Sequence, residues 1–188
     1  MRIPLRPKIQ YVADFVPKSA ELFEHLRDTV VWDERLRARK TASFGLPYNY
    51  SGITYAANDM PDELTRIVER IRWHLDMRAN NCLVNYYPTG QSSMGFHSDA
   101  IEDLRPNSGI AIVSLGTPRT FTFRAKEEKS TTTDFLLEPG SLFYMPLSVQ
   151  ADWQHGLLPT DSTDGRISLT FREFWSGSGL EIEDGNRE

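Results

Sequence analysis

The stretch between residues 81 and 174 limits the fold most. Its apolar residues fall into seven short runs, Cys82–Tyr87, Gly109–Leu115, Thr120–Arg124, Phe135–Glu138, Ser141–Leu147, Gln154–Leu158 and Arg166–Glu173, separated by turn-forming residues. Two of them alternate strictly: Phe121 and Phe123 oppose Thr120 and Thr122, and Ile167, Leu169 and Phe171 oppose Arg166, Ser168, Thr170 and Arg172. Successive side chains of a strand point to opposite faces, so each run has one apolar face to bury. Pro139-Gly140 marks a turn between two of the strands. Many short strands after a helical first third predict a mainly β protein with flanking helices (α+β) on a jelly-roll core.

The first third has helical spacing in two places. Leu22, Phe23, Leu26 and Val30 predict a helix over 18–32, with Ser19 as its N-cap. Leu64, Ile67, Val68, Ile71 and Leu75 predict a second over 61–77, capped by Asp59 with Pro61 in the first turn. Residues 41–58 are rich in aromatic, Gly and Ser residues and have no helical period. A chain of 188 residues is expected to form a single domain. Within it, 1–80 would supply helices and a lid, 81–174 the catalytic core, and 175–188 an acidic tail with Glu181, Glu183, Asp184 and Glu188.

Composition excludes several classes. With 39% hydrophobic and 25% charged residues, the chain is neither disordered nor low in complexity. No apolar run approaches the roughly 18 residues of a membrane helix, and residues 1–8 have no apolar secretory core. A soluble monomer is expected, cytoplasmic or, in a eukaryote, nuclear. Cys82 is the only cysteine, which removes internal disulfides and cysteine-rich zinc sites. A net charge of −5 argues against a generic polyanion binder. Arg35, Arg37, Arg39 and Lys40 form a local basic cluster, either a solvated face or a track for a phosphate backbone.

The chemistry concentrates in Gly95-Phe96-His97-Ser98-Asp99. In extended chain, residues two apart share a face, so His97 and Asp99 can converge. His155 follows in another strand-like run. Two imidazoles and one carboxylate on one face of a metal leave open positions, the arrangement of non-haem Fe(II) oxygenases. Zinc is the alternative, although neither HExxH nor a histidine-rich spacing occurs. Arg166 and Arg172 share the polar face of the last strand and could pair bidentately with a dicarboxylate. Asn85 and Tyr87 share a face of another strand and offer neutral hydrogen bonds to the same ligand.

These segments together resemble the AlkB-like Fe(II)/2-oxoglutarate-dependent dioxygenases. The resemblance covers about residues 38–174, through Asn85-Tyr-Tyr87, His97-Ser-Asp99, Ser114-Leu-Gly116, Arg119-Thr-Phe-Thr-Phe-Arg124, Ala151-Asp-Trp-Gln-His155 and Arg166-Ile-Ser-Leu-Thr-Phe-Arg172. It implies a double-stranded β-helix enclosing Fe(II), with 2-oxoglutarate and O2 as cosubstrates. By the same resemblance His97, Asp99 and His155 would ligate iron. Arg166, Asn85 and Tyr87 would hold the distal carboxylate of 2-oxoglutarate, and Arg172 would lie near its chelating end. Ser168 stands where the family often has Asn and would keep a shorter contact. Alanine at His97 or Asp99 is expected to abolish turnover and leave the fold nearly intact.

Thr41-Ala-Ser-Phe-Gly45 and Tyr48-Asn-Tyr50-Ser51-Gly52 resemble the family's nucleotide-recognition lid. Tyr48, Tyr50 and Ser51 would contact a flipped base, with Tyr50 and His97 on either side of it. Tyr48 and Tyr50 could equally be core aromatics. Close relatives have acidic residues just after the ligand Asp, whereas this chain has Ala100 and Ile101, which leaves Glu102 as the substitute carboxylate. The short segment from Trp32 to Lys40 suits single strands better than duplexes. Arg119 and Arg124 would reach a substrate phosphate or pair with acids, and Trp153 would wall the metal pocket or fill the core. The expected function is oxidative demethylation of alkylated bases in single-stranded DNA or RNA. The alternatives are a hydroxylase or demethylase of a metabolite, free nucleotide or protein side chain, and a non-catalytic nucleic-acid-binding domain.

Overall fold

A computed structural model describes residues 6–50 and 52–175 of the protein. Among these residues, twelve strands and three helices follow in the order β1 (Gln10–Val12), α1 (Ser19–Thr29), β2 (Lys40–Gly45), β3 (Tyr48–Tyr50), β4 (Ile53–Tyr55), α2 (Asp62–Leu75), β5 (Asn81–Tyr87), β6 (Met94–His97), β7 (Gly109–Gly116), β8 (Arg119–Ala125), β9 (Thr132–Leu137), β10 (Leu142–Pro146), α3 (Val149–Asp152), β11 (Trp153–Leu157) and β12 (Arg166–Arg172). A six-stranded sheet runs β1-β10-β7-β12-β5-β2, and a four-stranded sheet runs β6-β11-β8-β9. β3 and β4 form a separate hairpin. All pairings are antiparallel, which gives the double-stranded β-helix. No helix among the described residues is long and apolar enough to cross a membrane.

The period of two along the strands sorts their side chains between two cores. Cys82, Val84, Ala111, Val113, Leu115, Ile167, Leu169 and Phe171 leave the large sheet on one side and meet Leu26 of α1 with Leu64, Ile67 and Ile71 of α2. Tyr87, Ile110, Ile112, Phe143 and Met145 leave it on the other side and meet Phe121, Phe123, Leu137, Trp153 and Leu157 of the small sheet. The polar residues of β12 therefore lie between the two sheets, and all seven residues of the strand are buried. The face opposite the apolar stripe is interior.

The helices begin later and end earlier than their apolar spacing suggests. Lys18, in a left-handed conformation, takes the N-cap position of α1 with no side-chain cap, and Ser19 is already helical. Pro61, not Asp59, stands at the N-cap of α2. Both helices are held by tertiary burial of one face. β1 and β2 lie before residue 81 yet form the two edges of the large sheet, so residues 40–45 belong to the sheet and only the β3–β4 hairpin stands apart from it.

Candidate metal centre

β6 and β11 are paired so that His97 and His155 are direct partners across the small sheet. Their rings meet edge-on with centroids 4.5 Å apart. Two residues beyond His97, Asp99 turns inward, and its Oδ2 lies 3.2 Å from His155 Nε2. Ligating atoms of His97, Asp99 and His155 lie within 4.8 Å of one another, and this is the group among the described residues that could hold a metal ion. His97 Nδ1 is 2.9 Å from the carbonyl oxygen of Gly95. A carbonyl has no proton, so Nδ1 donates and Nε2 keeps its lone pair for a ligand. Burial, and then the neighbouring His155, push His97 below the ordinary imidazole value and favour the neutral form that binds a metal.

Asp99 is set by groups from three elements. Gln150 of α3, itself buried, accepts the Asp99 backbone N–H at 2.9 Å. Ser98 Oγ donates to the carbonyl of Trp153 at 3.0 Å, tying the same loop to β11. Arg172 Nη2 donates to Asp99 Oδ1 at 2.9 Å. Burial works against the Asp99 carboxylate, but Arg172 and His155 beside it prevail and hold it below the usual carboxylate range. The same carboxylate offsets the cost of burying Arg172 and leaves that guanidinium above its ordinary value.

The pair lies in a narrow inter-sheet cavity of about 30 Å³. Asp99 and His155 share its lining with Tyr50, Asn85, Tyr87, Arg166, Ser168 and Arg172. Arg166 Nη2 donates to Ser114 Oγ at 2.9 Å, and its guanidinium lies 5.5 Å from the ring of Tyr87. Burial pulls Arg166 down to about 10, partly relieved by Tyr87, so it remains a cation at neutral pH. Arg166 Nε and the Nε and Nη1 of Arg172 are buried without a protein acceptor. Buried guanidinium donors with free valences suit an anionic, carboxylate-bearing ligand, and His/Asp/His suits a divalent metal with open positions. The residues present therefore fit both an iron ion and a dicarboxylate. A wider groove lined by Leu26, Val30, Ala42 and Tyr55, with His25, Asp33 and Glu63, lies on the helical side of the large sheet and has no arginine and no group that could hold a metal.

Other expectations from the sequence part ways here. Tyr50 lines the cavity, whereas Tyr48 packs into the inter-sheet core between Tyr50, Phe174 and Arg172. Ser168 lies in register between Asn85 and Ser114 and lines the cavity, within hydrogen-bonding reach of Tyr87. Ser51 lies outside the described residues, as do the carboxylates of the acidic tail. Glu102 is not in the cavity: it is exposed, and its carboxylate accepts the backbone N–H of Ile101. Arg119 is not available to a phosphate, because it is buried and donates to the carbonyls of Ser92 and Leu158. Arg124 stacks 4.1 Å from the Phe96 ring and bonds to Gln154. Trp153 is core, 1% exposed. The basic cluster is largely paired internally: Arg35 with Asp33, and Lys40 with Glu34 at 2.6 Å. Arg39 turns inward instead, with Nε on Asn85 Oδ1 at 2.9 Å and Nη2 on Tyr50 Oη at 2.6 Å. Sequence reasoning missed Arg39 and Gln150. For Arg39 the signal was its position one residue before a strand whose register places Thr41 opposite Asn85.

The family model of the 2OG-Fe(II) oxygenase superfamily matches residues 16–172, and the chain belongs to that superfamily. Its members use Fe(II), 2-oxoglutarate and O2. Within the superfamily the chain is AlkB-like. It is 32% identical over 173 residues to the alpha-ketoglutarate-dependent dioxygenase alkB homolog 3 of Rattus norvegicus, a match spanning 80% of this chain and 58% of that one. It is 33% identical over 150 residues to the DNA oxidative demethylase ALKBH2 of Homo sapiens, spanning 72% and 56%. The chain thus spans rather more than half the length of these relatives. The solved structure of OsALKBH1 superimposes with a TM-score of 0.68 over 91% of this chain and 100% of its own, at 16% identity, and shows the shared fold.

Proposed function

We propose that the protein is an Fe(II)- and 2-oxoglutarate-dependent dioxygenase that demethylates alkylated bases in single-stranded nucleic acid. In this reading His97, Asp99 and His155 hold the metal. Arg166 pairs with the distal carboxylate of 2-oxoglutarate, with Asn85, Tyr87 and Ser168 around it, and Arg172 lies at the chelating end. The carrying observation is that a His/Asp/His group and two buried guanidiniums with free donors line one cavity. A binding module has no need for either. The names of the relatives, a dioxygenase and a DNA oxidative demethylase, support nucleic-acid demethylation.

Iron(II) with 2-oxoglutarate supplies O2-driven oxidation of a C–H bond, which on an N-methyl group releases formaldehyde and yields succinate and CO2. The chain's own contribution is placement. Gly95 fixes the proton of His97 on Nδ1, and Gln150, Trp153 and Arg172 fix the Asp99 loop. Phe121 and Phe123, with ring centroids 5.0 and 5.4 Å from His155, exclude water from the far side of that imidazole. Tyr50 at the mouth offers an aromatic face on which a base can stack.

The test is succinate and formaldehyde release across methylated oligonucleotides, nucleosides, metabolites and peptides. The reading requires turnover with methylated oligonucleotides well above that with the other three. Turnover confined to small molecules would favour the metabolite alternative, which the internal pairing of Arg35 and Lys40 supports.

A further inference from the structure

A second property of this mouth concerns the charge of what enters it. This property rests on the demethylase reading above. Three side chains lining the cavity bear full charges when ionised as arginine or aspartate: Asp99, Arg166 and Arg172. Asp99 is already committed, to Arg172 at 2.9 Å and to His155 at 3.2 Å. Arg39 adds a further cation at the mouth. Its Nη2 bonds the hydroxyl of Tyr50, its Nε bonds Asn85 Oδ1, and its guanidinium carbon lies 5.5 Å from the Tyr50 ring. Both acceptors are neutral, and no carboxylate among the described residues forms a salt bridge with Arg39. The residues that follow Asp99 provide no counter-charge. Ala100 and Ile101 are neutral, and Glu102 is exposed and turned onto its own loop.

Methylation leaves nucleobases in two charge classes. A methyl on N1 of adenine or N3 of cytosine, each a pyridine-type nitrogen, makes a cation at neutral pH and leaves an exocyclic amino donor beside it. A methyl on N1 of guanine or N3 of thymine replaces an N–H and leaves the ring neutral. A base resting on Tyr50 lies beside the Arg39 guanidinium. A cation there meets a like charge in a partly desolvated mouth. We infer that the site selects neutral N-methylated oxo bases, of the 1-methylguanine and 3-methylthymine kind, over cationic ones, and that Arg39 sets this preference.

The experiment is anaerobic fluorescence anisotropy with Mn(II) and 2-oxoglutarate present, using single-stranded oligonucleotides with one 1-methylguanine, 3-methylthymine, 1-methyladenine or 3-methylcytosine and their unmethylated counterparts. Binding, not turnover, is the readout. The neutral pair should bind at least about tenfold tighter than the cationic pair, each relative to its unmethylated control, a difference equivalent to about 1.4 kcal/mol. Arg39→Gln should reduce that ratio about tenfold, and Arg39→Lys, which keeps the charge, should retain most of it. Equal or tighter binding of the cationic pair by the unaltered protein overturns the inference and leaves the demethylase reading standing. So does an unchanged ratio in a folded Arg39→Gln protein. If no methylated oligonucleotide is preferred over its control, the demethylase reading falls and takes this inference with it. Should Arg39→Gln not fold, the ratio of the unaltered protein decides.

Discussion

Asp99 offers a ligating oxygen and also neutralises Arg172, and a substitution cannot separate the two roles. Arg172 is 2% exposed and the Asp99 side chain 7%, so alanine at Asp99 leaves a buried guanidinium without its counter-charge. Asp99→Ala should therefore destabilise the metal-free protein by about 3–5 kcal/mol in urea melts. From sequence, that change was expected to leave the fold nearly intact; the buried Asp99–Arg172 pair joins residues 73 apart and has no sign in the local pattern. His97→Ala, which strands no charge, should cost clearly less and still abolish metal binding. Gln150 acts one step further out, through the Asp99 amide. Gln150→Met keeps similar bulk and removes the acceptor, and Mn(II) affinity measured by calorimetry should fall roughly 10- to 100-fold. Gln150→Glu retains an acceptor oxygen and should recover part of that loss. The convergence of His97 and Asp99 was legible because HxD in extended chain places two side chains on one face. Gln150 was not, since it stands at no spacing that a period of two or 3.6 would flag, and Arg39 was masked by the basic cluster it belongs to, with Arg35, Arg37 and Lys40.

Among the elements, α3 and β11 form one continuous stretch that reaches two of the three candidate ligands: Gln150 grips Asp99 from α3, and His155 belongs to β11. Lys126 reinforces it, with Nζ on the Gln150 carbonyl at 2.6 Å. Behind β11, Phe123 is fully buried and its ring meets Phe121, Phe135, Phe143 and His155. Phe123→Ala should cost about 3–5 kcal/mol in unfolding free energy. It should also weaken Mn(II) binding, because His155 loses one of its ring contacts. Strands with clear alternation, β8 and β12, were readable in advance. β6 was not, because Met94-Gly-Phe-His97 is only four residues long and half-exposed. β2 was hidden for the opposite reason. Four consecutive buried residues, Thr41 to Phe44, mix polar and apolar types, because both faces of this edge strand are covered.

At the scale of the whole molecule, the large sheet separates a helical core from an inter-sheet core, and the functional groups all lie in the second. The jelly-roll class follows from many short strands, but which face of β12 is interior does not. Arginines opposite an apolar stripe have the same pattern whether they meet water or a second sheet. A ligand that binds only the folded state raises its melting temperature. Mn(II) with 2-oxoglutarate should therefore raise it by several degrees, whereas Mn(II) with a 2-oxo monocarboxylate, which gives Arg166 nothing to hold, should raise it much less. Arg166→Ala should remove that difference.

The most direct measurement is an anaerobic titration of the metal-free protein with Fe(II) and 2-oxoglutarate, followed by the visible charge-transfer absorption of the chelated pair. One equivalent of each should give a saturating band that His97→Ala and His155→Ala abolish and that Arg166→Ala shifts to much higher 2-oxoglutarate concentrations. A protein that develops no band at saturating Fe(II) and 2-oxoglutarate, or that keeps it after loss of either histidine, would contradict the assignment of His97, Asp99 and His155 as the iron site.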